Sequence, residues 1–112
     1  MKFLVVDDSI VMRRIVKKLL RKAGYGGETD VVLEARSGQE GIDFVLRDEP
    51  DIVITDYDMP EMTGIEMIER LRAKNIDVAF GLATAHCSTE VLMEAIELGA
   101  RFAMQSGSTS RW

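Results

Sequence analysis

Five short apolar segments alternate with four amphipathic helical patterns, and this alternation restricts the fold more than any other feature of the chain. The first segment, KFLVV, is rich in branched and aromatic residues, which is typical of a strand buried on both faces. Strands that alternate with helices at this spacing predict a parallel sheet whose right-handed crossovers place helices on both faces. The predicted strands cover Lys2–Val6, Asp30–Ala35, Asp51–Asp56, Asp77–Thr84 and Arg101–Gln105.

Most of the helical patterns carry a start or a stop signal. Serine precedes the first, second and fourth patterns, and a serine in this place caps the free N–H groups of a helix. Ser37 is followed three residues later by Glu40, which predicts a capping box. The predicted helices span residues 9–24, 37–50, 64–75 and 88–100, with Ser9, Ser37 and Ser88 as N-caps and Gly24 and Gly99 as stops.

The composition favours one globular domain that binds neither nucleic acid nor a membrane. The 112 residues suit a single domain, and 46% hydrophobic with 29% charged residues is a globular composition. A net charge of −5 offers no positive surface to a phosphate backbone. The apolar run at the N-terminus is too short for a signal peptide, and no segment resembles a membrane span. A single cysteine, Cys87, excludes an internal disulfide, so we expect a cytoplasmic protein.

The first helical pattern has one strongly basic face opposite its apolar stripe. Such a face is either a solvated helix surface or a docking surface for an acidic protein, and the pattern alone leaves both interpretations open. The residues of this face are Arg13, Arg14, Lys17, Lys18, Arg21 and Lys22.

Three carboxylates and a hydroxyl follow or end three of the predicted strands. Asp7 and Asp8 follow the first strand, Asp56 ends the third and Thr84 ends the fourth. Functional groups of an open parallel sheet collect at the carboxyl ends of its strands, so these side chains are predicted to converge. Clustered carboxylates repel one another unless a cation offsets their charge, and oxygen ligands of this kind favour Mg²⁺. The Thr84 hydroxyl can donate to a phosphoryl oxygen, whereas Asp8 taken alone could merely cap the first helix.

Four motifs together resemble one known family, the CheY-like receiver domain of response regulators. They are LVVDDS, DIVITDYDMPEMTGIEMIERLR, LATAH and AIELGA, and the resemblance extends from Lys2 to about Ala100. It implies a flavodoxin-like, doubly wound α/β fold with strand order 2-1-3-4-5. We therefore expect a receiver domain over residues 1–105 and an irregular polar tail over residues 106–112.

The resemblance also implies a role for each acidic residue. Asp56 resembles the phosphoacceptor, whose carboxylate attacks a phosphohistidine of a sensor kinase. Asp8 resembles the direct Mg²⁺ ligand, Asp7 the ligand that acts through water, and the Asp58 backbone carbonyl a further ligand. Thr84 resembles the hydroxyl that follows the phosphoryl group and changes the surface near the fourth helix. Asp56 itself would complete the metal site.

Residues around this motif carry weaker signals. Pro60 and Gly64 resemble the residues that shape the loop after the phosphoacceptor. His86 is either a solvated loop residue or a group that controls the access of water to the acyl phosphate. A zinc site at His86 and Cys87 is disfavoured, because two adjacent ligands without a second pair are poor spacing for zinc. The Asp58 side chain adds a negative charge to the site unless it points outward.

The resemblance fails after Ala100. The family places an aromatic residue and then a lysine here, but the matching positions hold Ala103 and Ser106, and Phe102 is one place early. No apolar stripe remains for the fifth helix of the family. Loss of one preorganised donor can slow a reaction by about 10²–10³. We therefore expect slower phosphoryl transfer and weakened switching.

A missing final helix would leave apolar surface beside the first helix. We predict that a homodimer covers this flank, by direct contact or by exchange of terminal segments. Trp112 either packs on the same flank or belongs to a frayed terminus.

Two functions therefore compete. The first is a phosphoacceptor module, not a classical enzyme, that uses Mg²⁺ and signals through protein contacts. Its partners would be a sensor histidine kinase or phosphotransfer protein and a downstream target, for which the basic first helix suggests a chemotaxis or flagellar protein. The second is a non-switching, receiver-like module for dimerisation or binding. A metal-dependent phosphohydrolase is the least favoured, because the further basic and acidic motifs of such enzymes are not found.

Overall fold

The computed structural model describes residues 1–85 and 87–105, in which strands and helices alternate from the first element to the last. The five strands form one parallel sheet in the order β2-β1-β3-β4-β5, which confirms the predicted topology. His86 and residues 106–112, including Ser106 and Trp112, lie outside the described residues, and so does the predicted loss of the fifth helix. The elements are β1 (Lys2–Val6), α1 (Ile10–Lys22), β2 (Val31–Ala35), α2 (Gly38–Asp48), β3 (Ile52–Thr55), α3 (Gly64–Ala73), β4 (Ala79–Thr84), α4 (Thr89–Glu97) and β5 (Ala103–Gln105).

The three predicted serine caps are present, but the predicted capping box is wrong. Ser37 accepts a hydrogen bond from the Glu40 N–H, as expected, yet the Glu40 carboxylate accepts from the Arg36 N–H instead of the Ser37 N–H. The complete box lies at the start of α3, where the side chains of Thr63 and Glu66 each accept from the backbone of the other. The N–H of Arg36, one position before the N-cap, therefore takes the place of the Ser37 N–H as the donor to the Glu40 carboxylate.

The two faces of the sheet carry unequal shares of the core. Leu4 and Val6 of β1 point into the larger cluster, which α2, α3 and α4 cover. Phe3 and Val5 alternate with them and point into a smaller cluster beneath α1. Within the described residues, three helices thus cover one face and one helix covers the other. No helix among these residues has the length and apolar character needed to cross a membrane.

One glycine brings two elements closer together than any side chain would allow. A Cβ on Gly81 of β4 would collide with the Phe102 ring, which packs in the smaller cluster. Ala103, the next residue, packs against the larger cluster on the opposite face. The aromatic side chain before β5 therefore lies on the α1 side of the sheet.

Candidate functional site

The backbone of two neighbouring strands places two aspartates side by side. Val6 of β1 pairs with Thr55 of β3. The residues that follow them, Asp7 and Asp56, therefore lie at equivalent positions just beyond the carboxyl ends of the two strands. The Asp56 N–H donates to the Val6 carbonyl at 2.9 Å, and the Asp7 N–H donates to the Ala35 carbonyl at 3.0 Å. The sheet thus holds both backbones at the edge where parallel strands present functional groups.

Three carboxylates meet at this edge, as the sequence predicts. Asp7, Asp8 and Asp56 each place a carboxylate oxygen within 4.8 Å of the others. Asp7 is only 2% exposed, Asp56 is half-buried and Asp8 is exposed. Among the described residues, the buried oxygens Asp7 Oδ2 and Asp56 Oδ1 have no hydrogen-bond partner. Buried acceptors without partners are rare, and two of them facing one cluster fit a cation that takes oxygen ligands.

Burial makes ionisation of Asp7 unfavourable. The pKa of Asp7 is raised from the ordinary 3.8 to about 6, chiefly by desolvation and to a smaller extent by the negative charges of Asp56 and Asp8. The Ser9 N–H opposes this effect by donating to Asp7 Oδ1 at 2.9 Å. At neutral pH Asp7 is therefore ionised in the folded chain, although its buried surroundings favour the neutral carboxyl.

The pKa of the Asp56 carboxyl is also raised, chiefly by burial. Hydrogen bonds from the Thr84 hydroxyl and from the N–H groups of Tyr57 and Asp58 lower it in part. Thr84 ends β4 and is 2% exposed, so the predicted convergence of strand ends includes its hydroxyl. These donors contact the Asp56 carboxyl, at the place where a group attached to it would carry negative charge.

The Asp58 side chain is exposed, in agreement with the outward orientation considered above. Its backbone N–H interacts with Asp56, whereas its carbonyl remains a predicted metal ligand. The loop that follows contains Pro60, also exposed, and returns to Gly64, whose N–H donates to the Tyr57 carbonyl at 2.8 Å. A Cβ on Gly64 would collide with the Asp56 carbonyl, so this glycine allows α3 to begin directly against the site.

Arg13 holds the backbone of the turn that carries Asp7, a role that the sequence did not predict. The guanidinium is buried and donates through Nη1 to the Asp7 carbonyl at 2.8 Å. Its Nε donates to Glu34 at 3.0 Å, and Lys17 contacts the other Glu34 oxygen at 2.9 Å. The hydrogen bond from Lys17, and then that from Arg13, lowers the pKa of Glu34. The assignment of Arg13 to a solvent-exposed or docking face was therefore wrong, and the lone acid in β2 was the available signal.

Cys87 and Ala103, both considered in the sequence analysis, take no part in the described site. Cys87 is half-buried, and burial raises the pKa of its thiol, which disfavours the thiolate that a metal ligand needs. Ala103 packs on the larger cluster and has no ring to move with Thr84.

Residues 3–105 match the family described as "Response regulator receiver domain". The chain is 39% identical over 102 residues to a chemotaxis protein CheY homolog of Campylobacter jejuni, which covers 88% of this chain and 75% of the relative. It is 30% identical over 99 residues to the sporulation initiation phosphotransferase F of Bacillus subtilis, with 88% and 76% covered. Among solved structures, the chemotaxis protein CheY4 of Vibrio cholerae superposes with a TM-score of 0.78 at 30% identity, over 96% of this chain and 87% of that one.

Proposed function

We propose, because this chain belongs to the response regulator receiver domain family, that it accepts a phosphoryl group on Asp56 with the help of Mg²⁺ and signals through protein contacts. The observation that carries the proposal is a pair of buried oxygens, one on Asp7 and one on Asp56, that have no hydrogen-bond partner in the described part of the chain. Their carboxylates lie with that of Asp8 at one strand edge, which is where a hard cation and a phosphoryl group can be held together.

Asp7, Asp8 and Asp56 would hold the cation, with the Asp58 carbonyl as a further ligand. The donor set consists of oxygens alone and includes an exposed carboxylate, which fits an ion that keeps several waters. When bound, Mg²⁺ supplies positive charge that offsets the carboxylates and the phosphoryl oxygens.

Asp56 would supply the nucleophile. One carboxylate oxygen attacks the phosphorus of a phosphohistidine, the phosphorus–nitrogen bond breaks, and its electron pair stays with the imidazole that leaves. The Thr84 hydroxyl and the N–H groups of Tyr57 and Asp58 already interact with the Asp56 carboxyl, so they are placed to orient it and to receive a phosphoryl oxygen. The domain thus performs one self-catalysed transfer rather than enzymatic turnover of a free substrate.

We propose that the subsequent switch is impaired. The position expected to hold a lysine is Ser106, which carries no positive charge, and the position expected to hold an aromatic ring is Ala103. Phosphorylation of Asp56 adds roughly 1.5–2 negative charges. Without the lysine and the ring, less of that charge is converted into a change at the surface of α4.

The proposed partners follow from the same family. A sensor histidine kinase or a phosphotransfer protein would supply the phosphoryl group in the cytoplasm, and a second protein would read the product. Several relatives are chemotaxis proteins, which favours a chemotaxis or flagellar target.

The test is the intact mass of the protein after incubation with Mg²⁺ and acetyl phosphate. We expect a gain of about 80 Da, the mass of one phosphoryl group, that disappears in chelator and in Asp56→Ala. Asp58→Asn is the matched control, because it removes an exposed aspartate two residues away and should keep the gain. No gain in the wild-type chain, or an equal gain in Asp56→Ala, would contradict the proposal.

A second function is a non-switching assembly module, which is favoured by apolar side chains beside α1 that the other described residues leave partly exposed. Leu19 and Tyr25 beside the smaller cluster are 36% and 46% exposed. This module would dimerise through the flank beside α1, with or without modification of Asp56.

A further inference from the structure

An apolar groove runs along α1 on the less covered face of the sheet. Val16, Leu19 and Leu20 form its helical wall. Ile54 of β3, Met104 of β5 and Phe102, which directly precedes β5, form the wall on the side of the sheet. The wall continues to Ala23, so its length is roughly 10 Å, or about two helical turns. A surface of this shape fits the apolar ridge of another helix.

The rim of this groove is basic. Lys22 is exposed, lies three positions after Leu19 and directly precedes Ala23, so it lies beside the exposed side of the wall. Helix α1 contains no acid, and of its six lysine and arginine residues Arg13 and Lys17 pair with Glu34 of β2, which leaves four for the helix surface. Two copies that met groove to groove would place these rims against each other, and the like charges would repel. The occupant should therefore be apolar with an acidic border.

Helix α4 presents such a surface. Met93 and Ile96 are 50% and 56% exposed and lie three positions apart, so they form one ridge. Glu90 lies three positions before Met93, and Glu97 lies four positions after it. Helix α4 contains three glutamates and no basic residue. Its ridge and border are therefore complementary to the groove in both polarity and charge.

The helix and the groove lie on opposite faces of the sheet. Ala95 of α4 is buried in the larger cluster, whereas Val16 of α1 is buried in the smaller one. The ridge of a folded chain consequently faces away from its own groove. We propose that α4 of a second copy of this chain docks in the groove beside α1, with Met93 and Ile96 against Leu19 and with the glutamates near Lys22.

This contact is head-to-tail. The pair keeps one unfilled groove on one copy and one unfilled ridge on the other, so further copies can add at both ends. The inference rests on the assembly function proposed above and makes no use of Asp56 or Mg²⁺. Failure of phosphoryl transfer would leave it intact, and its own failure would leave phosphoryl transfer intact.

Sedimentation velocity of the full 112-residue chain in chelator tests the contact. At about 200 μM protein and 50 mM salt we expect an average mass at least twice the 12.5 kDa of one chain, falling towards one chain at about 500 mM salt. Leu19→Glu and Ile96→Glu should each sediment as one chain. Mixed in equal amounts, they should form a 1:1 pair that grows no further, because only one groove and one ridge remain intact.

Leu46→Glu is the matched control, since Leu46 of α2 is 50% exposed and lies outside both surfaces. It should assemble like the wild-type chain, and circular dichroism of all variants should report the same helix content. A wild-type chain of single mass at every concentration would overturn the proposal. Assembly that survives Ile96→Glu would also overturn it, because the groove would then hold another occupant such as residues 106–112. A mixture of the two variants that fails to pair would overturn it as well.

Discussion

Replacing Asp7 with asparagine should stabilise the metal-free protein. Asp7 is nearly inaccessible, and its pKa lies at about 6 instead of 3.8. At 1.36 kcal/mol for each pKa unit, ionising this carboxylate in the folded state costs about 3 kcal/mol. Asparagine keeps the acceptor for the Ser9 N–H and places a donor where Asp7 Oδ2 now has no partner among the described residues. The carboxamide removes the ionisation cost without removing the turn.

The sign of the pH dependence follows from the raised pKa. Between about pH 4 and pH 6 the folded wild-type chain binds more protons at Asp7 than the unfolded chain does, so its stability falls as the pH rises through this window. Below the window the carboxyl is neutral in both states and the cost is absent. The advantage of Asp7→Asn should therefore be small near pH 4 and should reach its full size above about pH 6.5.

Urea unfolding between pH 4.5 and pH 7.5, in chelator, measures this advantage. At pH 7.5 we expect the free energy of unfolding of Asp7→Asn to exceed that of the wild-type chain by about 3 kcal/mol. Its melting temperature should be roughly 10 °C higher. Asp8→Asn is the matched control, because it removes the same charge from an exposed position and should gain less. Equal stability of Asp7→Asn and the wild-type chain at pH 7.5, or an advantage that does not change with pH, would refute the reasoning.

Two further substitutions test the surroundings of the site. Gly64→Ala should cost about 1–3 kcal/mol in urea unfolding and reduce the phosphoryl gain, because its Cβ collides with the Asp56 carbonyl. Gly27→Ala, which meets no neighbour, should be nearly neutral, and equal losses in both would contradict this account. Thr63→Ala should cost about 1 kcal/mol by removing the capping box of α3. An unchanged unfolding midpoint would show that the box adds nothing.

The order of elements was predictable because buried parallel strands leave continuous apolar runs. The bounds of β1 agree with the prediction at both ends, since Lys2 and Asp7 flank a run with no polar interruption. Strand β4 begins at Ala79 rather than at Asp77, because an apolar run does not reveal where ladder pairing begins. The convergence of Asp7 and Asp56 was predictable for a topological reason, since adjacent parallel strands end at one edge.

Contacts that depend on side-chain reach were not predictable in this way. Arg13 follows the periodicity of a basic helix face, yet its long side chain extends beneath the turn to the Asp7 carbonyl and to Glu34. Periodicity assigns a residue to a side of the helix and does not report how far its end group travels. The choice of Glu40 between two N–H groups has the same origin, because both lie within reach and only the turn geometry decides.

The unequal core has a consequence for local opening. In the described part of the chain, the larger cluster contains sixteen buried residues and the cluster beneath α1 contains five. Amide hydrogen exchange should accordingly detect two cooperative units, with α1 opening at lower free energy than α3. Asp7 and Asp8 precede α1 on a turn tied to it through Ser9 and Arg13, so each opening of α1 also dismantles the acidic site. A ligand can therefore bind this site only while α1 is folded, so the affinity of the site depends on the free energy of α1 opening. A bound ligand would slow amide exchange along the whole of α1.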